Sequence, residues 1–136
     1  MPLQVKITDG DVLLFEGQLQ GLLEFGRQQQ GESGPGFVQQ SAGTTRIVMA
    51  ALDNKKVARR QLQTLRTAGN SVRLSNISTS VDLRIEQHGP LESGRTVELP
   101  LPVGLTFPSG HTVTLSIPPV VSREDSGLES LASVSM

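Results

Sequence analysis

Cysteine is absent from this chain of 136 residues, so a disulfide framework, a thiolate nucleophile and a cysteine-built zinc site are all excluded. The absence suits a reducing, cytoplasmic setting. Tryptophan and tyrosine are missing too, which leaves Phe15, Phe25, Phe37 and Phe107 as the only aromatic side chains. Exposed platforms for stacking bases or sugar rings have nothing to be built from. There is no excess charge of either sign: 12 Lys and Arg stand against 13 Asp and Glu, for a net charge of −1. Such a balance gives no general attraction to nucleic acid or to an anionic membrane. No apolar run approaches the roughly 18 residues of a membrane helix, and Met1-Pro2-Leu3-Gln4-Val5-Lys6 lacks the continuous apolar stretch of a signal peptide. Neither nucleic acid nor membrane is expected as a partner.

Catalytic signatures are equally scarce. His88 and His111 are the only imidazoles; neither has a second metal ligand at a recognised spacing, and no Gly-x-Ser-x-Gly elbow accompanies them. The Gly-rich stretch at residues 31–36 lacks the Gly-Lys-Ser/Thr ending and the helix that would gather backbone dipoles on a nucleotide phosphate. No enzyme activity, metal or cofactor is expected.

Alternation with period two runs along the chain instead. It predicts strands at Leu3 to Thr8, Asp11 to Phe15, Leu22 to Phe25, Thr45 to Leu52, Gln61 to Leu65, Val72 to Asn76 and Leu83 to Glu86. The turns Asp9-Gly10, Gly69-Asn70 and Gly89-Pro90 punctuate them. From Val97 to Phe107 the alternation is interrupted by Pro100 and Pro102, which lack the N–H of a central ladder and so divide the run in two or place it on an edge. After the turn at 107–110, Val113, Leu115 and Ile117 point one way while Thr112, Thr114 and Ser116 point the other. Many short strands with regular punctuation predict a β-sandwich or barrel. Gln28 to Gly43 reads as a long, flexible polar loop, and the Ser- and charge-rich segment 121–136 as a linker to further domains.

Positive charge is concentrated locally. Lys55, Lys56, Arg59, Arg60, Arg66 and Arg73 occur with no acid among them, and Arg27 follows a separate strand. Lys55, Lys56 and Arg66 read as a solvated face. Arg27 and Arg59 carry more functional weight, because a guanidinium at the end of a sheet can chelate two oxygens of one phosphate.

Three segments place such residues where strands end: Phe25-Gly26-Arg27, Val57-Ala58-Arg59-Arg60-Gln61-Leu62 and Val72-Arg73-Leu74-Ser75-Asn76-Ile77-Ser78. Their order and spacing, from about Leu3 to Ile117, resemble the forkhead-associated (FHA) domain, a reader of phosphothreonine peptides. The family pattern is Gly-Arg, then Ser-Arg-x-His, then Asn-x-Ser-x-x-Asn-Gly-Thr. The resemblance implies an all-β, two-sheet sandwich of about ten or eleven short, mostly antiparallel strands over residues 1–120. It implies that Arg27, Arg59 and Ser80 bind phosphopeptide and that Gly26, Gln61 and Asn76 support the loops, with Gly26 letting ligand approach the backbone. Two ligand positions depart from the pattern: Ala58 replaces the phosphate-donating serine, and Val81 replaces the peptide-gripping asparagine. Gln61 stands where the family has a buttressing histidine.

The expected function is therefore a protein-interaction module of a signalling protein that binds phosphothreonine peptides. The alternative is a scaffold of the same fold that associates or oligomerises without phosphate. An unrelated carbohydrate-binding sandwich fits the strands and fails on the aromatic count.

Overall fold

The computed structural model describes residues 2–67 and 69–119; the segment 121–136, expected to be a linker, lies outside them. The strand order is β1 (Leu3–Asp9), β2 (Val12–Leu19), β3 (Leu22–Arg27), β4 (Val38–Ser41), β5 (Thr44–Ala50), β6 (Leu62–Arg66), β7 (Ser71–Asn76), β8 (Leu83–Ile85), β9 (Gly89–Leu91), β10 (Thr96–Pro100), β11 (Val103–Thr106) and β12 (His111–Ser116). They form two six-stranded sheets, β2-β1-β12-β11-β8-β9 and β10-β7-β6-β3-β5-β4. All pairings are antiparallel except β3 with β5.

The sandwich follows from one buried face per strand. Leu3, Val5 and Ile7 of β1 are buried, with Val5 opposite Leu115 and Ile7 opposite Val113 of β12 and Leu3 opposite Leu19 of β2. Slipping this pairing by one residue would turn every apolar side chain to water. From the second sheet Leu23, Phe25, Ile47, Leu62, Val72 and Leu74 meet them across the core. Each fully buried aliphatic or aromatic side chain contributes about 1.5–3 kcal/mol against its exposed state.

The described residues form twelve strands, in line with an expected sandwich of about ten or eleven. The two additions are short edge strands: β4 emerges from the polar loop expected at 28–43, and β9 contains the Gly89-Pro90 pair read as a turn. Pro90 on an edge breaks no ladder. The proline-interrupted run is split between sheets, β10 on the edge of one and β11 inside the other, with Pro102 between them. Ile117 falls beyond β12 and is exposed.

The loop between β3 and β4 is pinned, contrary to its polar, flexible reading. Arg46 clamps Glu32 at 2.6 and 3.1 Å, and Gln28 donates to the Glu32 carbonyl. Gly36, at φ +93°, donates its N–H to Val48 and leaves no room for a Cβ, which would lie 2.7 Å from the Leu14 carbonyl oxygen. These contacts fix the end of the sandwich at which Arg27 lies.

Candidate functional site

Three connections converge at that end: the loop after β3, residues 51–61 between β5 and β6, and residues 77–82 between β7 and β8. The β3–β5 register shifts between Gly26 and Arg27. Past the shift, β3 is held by the neighbouring connection, as Arg27 N–H donates to the Ala58 carbonyl at 2.9 Å and Gln61 N–H donates to the Phe25 carbonyl at 2.9 Å. A Cβ on Gly26 would overlap the Arg59 carbonyl oxygen. The glycine thus admits the chain's own 58–61 segment, which corrects the expectation that it admits ligand. Gly26→Ala is expected to displace that segment and cost about 1–3 kcal/mol, read as a lowered urea midpoint.

Gln61 and Asn76 tie the second connection to the third. Gln61 is fully buried; its Oε1 accepts from Ala58 N–H at 2.8 Å, while its Nε2 donates to Asn76 Oδ1 at 3.0 Å and to the Val81 carbonyl at 3.1 Å. Asn76 Nδ2 donates to the carbonyls of Val81 and Leu91, both at 2.9 Å, and Ser78 is bonded within the same network. An amide with both a donor and an acceptor end can brace two loops at once. Gln61, Asn76 and Ser78 together bond Ala58 of the second connection to Val81 of the third.

A pocket of about 430 Å³ opens above this network, lined by Arg27, Lys55, Val57, Ala58, Arg59, Arg60, Ile77, Ser78, Thr79, Ser80 and Val81. Arg27, Arg59 and Ser80, far apart in the chain, therefore share one cavity. Arg27 is buried at 8% exposure, its Nε has no hydrogen-bond partner, and no carboxylate pairs with it among the described residues. Thr64 Oγ1 and Arg66 Nε are also buried and unpartnered, and neither lines the pocket. Arg59 and Ser80 are exposed.

The other cations divide differently from their sequence reading. Lys55 reaches the pocket rim, whereas Arg66 is structural and donates to the Pro2 carbonyl at 2.8 Å. Arg60 is committed to Glu24, at 3.0 Å. Beneath the pocket Arg46 bonds Glu24, Glu32 and the Arg27 carbonyl, the last at 2.7 Å. Sequence separation hid this cluster: Glu24, Glu32, Arg46 and Arg60 lie on four different parts of the chain.

Burial alone would raise the Glu24 carboxyl, but hydrogen bonds from Arg60 and Gln63 and the charges of Arg60 and Arg46 outweigh it and hold the group below the usual carboxylate range. Glu32 is likewise lowered: Arg46 and the Gln29 N–H overcome its desolvation. A carboxylate with a lowered folded pKa adds stability that is present above its unfolded pKa of about 4.3 and fades as pH falls through the folded value. The urea midpoint is therefore expected to hold from pH 7 to 5 and to drop below pH 4. Glu24→Gln together with Glu32→Gln should remove their share of that drop.

No sequence-family model and no curated protein matches the chain. Solved structures do. An FHA domain studied for phosphothreonine-dependent interactions is similar at 15% identity and a TM-score of 0.54, over 88% of this chain and 100% of that one. The FHA domain of the CT664 protein from Chlamydia trachomatis is similar at 11% identity and a TM-score of 0.57, again over 88% and 100%. The chain has the forkhead-associated fold. A third FHA structure, that of FhaA in complex with the intracellular domain of another protein, is similar at 15% identity and a TM-score of 0.51, over 83% of this chain and 98% of that one. The pocket lies where the connections after β3, β5 and β7 meet, and Arg27, Arg59 and Ser80 all line it.

Proposed function

We propose that this FHA-fold chain is a protein-interaction module that binds phosphothreonine peptides in the pocket around Arg27. The observation that carries the reading is Arg27 itself, a buried guanidinium lining a cavity, with no carboxylate paired to it among the described residues. A desolvated, unpaired charge is costly, and an arriving anion removes that cost. Phosphothreonine brings a charge of about −1.5 to −2 and three acceptor oxygens. Arg27 supplies the buried donor fork, Arg59 and Lys55 add charge at the rim, and Ser80 and Thr79 offer hydroxyls. Phosphothreonine-dependent interaction is described for one structural relative of the same fold.

A fluorescence titration with a degenerate phosphothreonine peptide pool tests the reading. Affinity should fall with added salt, and the unphosphorylated pool should bind at least tenfold more weakly. Ala58 lines the pocket and is only partly exposed, so Ala58→Ser is expected to add a charged hydrogen bond of about 1.5–3 kcal/mol, or tenfold or more in affinity.

A second reading, association without phosphate, is favoured by Ala58 and Val81, neither of which can hydrogen-bond a ligand through its side chain. It predicts equal binding of both pools and no effect of salt.

A further inference from the structure

The side-chain amides beneath the pocket are spent inside the protein and do not line the cavity. Gln61 uses both ends of its amide on Ala58, Asn76 and Val81, and Asn76 uses both of its own on Gln61, Ser78, Val81 and Leu91. The Val81 carbonyl is saturated from inside, by donors from Gln61, Asn76 and Ser78. What residues 77–81 turn toward the cavity therefore includes two partly exposed aliphatic side chains, Ile77 and Val81, with Ala58 also lining it. The polar side chains that line the cavity are cations and hydroxyls, which suit an anion.

The pocket thus has a cationic part and an aliphatic part. Resting on the phosphothreonine reading above, we infer that the bound peptide is selected by an aliphatic residue next to the phosphothreonine, packed on Ile77 and Val81. With the phosphate held by Arg27, a neighbouring side chain falls within the same cavity of about 430 Å³. A polar side chain set against Ile77 and Val81 loses water without gaining a partner. An aliphatic one removes apolar surface from water on both partners. For a half-covered leucine or valine the expected preference is about tenfold.

The test is a peptide array with phosphothreonine fixed and each flanking position varied singly among Leu, Val, Ser, Asn and Asp. It is probed with the wild-type chain and with Val81→Thr, which keeps the side-chain volume and adds a hydroxyl. The wild type should prefer Leu and Val about tenfold at one flanking position. Val81→Thr should reduce that preference to threefold or less, read as the ratio between aliphatic and polar neighbours within the same array. A urea midpoint matching the wild type confirms that Val81→Thr is folded, and Ile77→Thr provides an independent second variant with the same expected loss. Binding of phosphopeptides without an aliphatic preference, or with a preference for Asp, overturns this inference and leaves the phosphothreonine reading standing. Failure of every phosphopeptide to bind the wild type overturns both.

Discussion

Replacing Arg27 with methionine is expected to lower phosphothreonine-peptide affinity by a hundredfold or more while leaving the fold as stable as before, or more so. The two effects have one cause. Arg27 is buried and no carboxylate neutralises it among the described residues, so in the free protein its charge is a cost to folding. Methionine fills similar space without that cost. In the complex the same guanidinium would make two charged hydrogen bonds to phosphate, each worth about 1.5–3 kcal/mol, and their joint loss exceeds two orders of magnitude. Calorimetric titration and urea denaturation on the same variant read the two signs separately. A variant that loses stability and binding together would place Arg27 among the structural residues.

Gln61→Ala is expected to be the most destabilising single substitution at this end of the sandwich, by about 3 kcal/mol. It orphans the Ala58 N–H, removes one donor from the Val81 carbonyl and opens a cavity in a fully buried position. Amide exchange separates this local effect from general loosening. Exchange at Ala58 should accelerate beyond what the global destabilisation accounts for, because the acceptor of its N–H in the wild type is the side chain that has been removed.

The alternation of β1 and β12 was legible because each buries one face, and period two records that directly. β4 and β9 were not legible. Val38-Gln39-Gln40-Ser41 has no apolar alternation and becomes a strand only by lying against Thr44–Ala50, while Gly89-Pro90-Leu91 owes its assignment to β8. Arg27, Arg59 and Ser80 could be gathered from sequence because their spacing matches a pattern whose fold brings the three connections together. Lys55 could not, since only the turn at 51–57, closed by Asn54 N–H to Ala51 and Val57 N–H to Asn54, carries it to the rim. Gln61, which stands where the family pattern has a histidine, ties the loops through three partners, and the sequence alone does not name them. At Gly26 the close approach permitted is that of Arg59, a neighbour that sequence spacing does not reveal.

The central claim is that an anion on a threonine side chain is bound by the pocket around Arg27. Amide chemical-shift mapping with matched phosphorylated and unphosphorylated peptide pools tests it most directly. The account predicts that Arg27, Ala58, Arg59, Thr79 and Ser80 shift with the phosphorylated pool alone, and that Arg27→Met abolishes these shifts. Equal shifts with both pools, or shifts confined to the sheet edges β2, β4, β9 and β10, would contradict it.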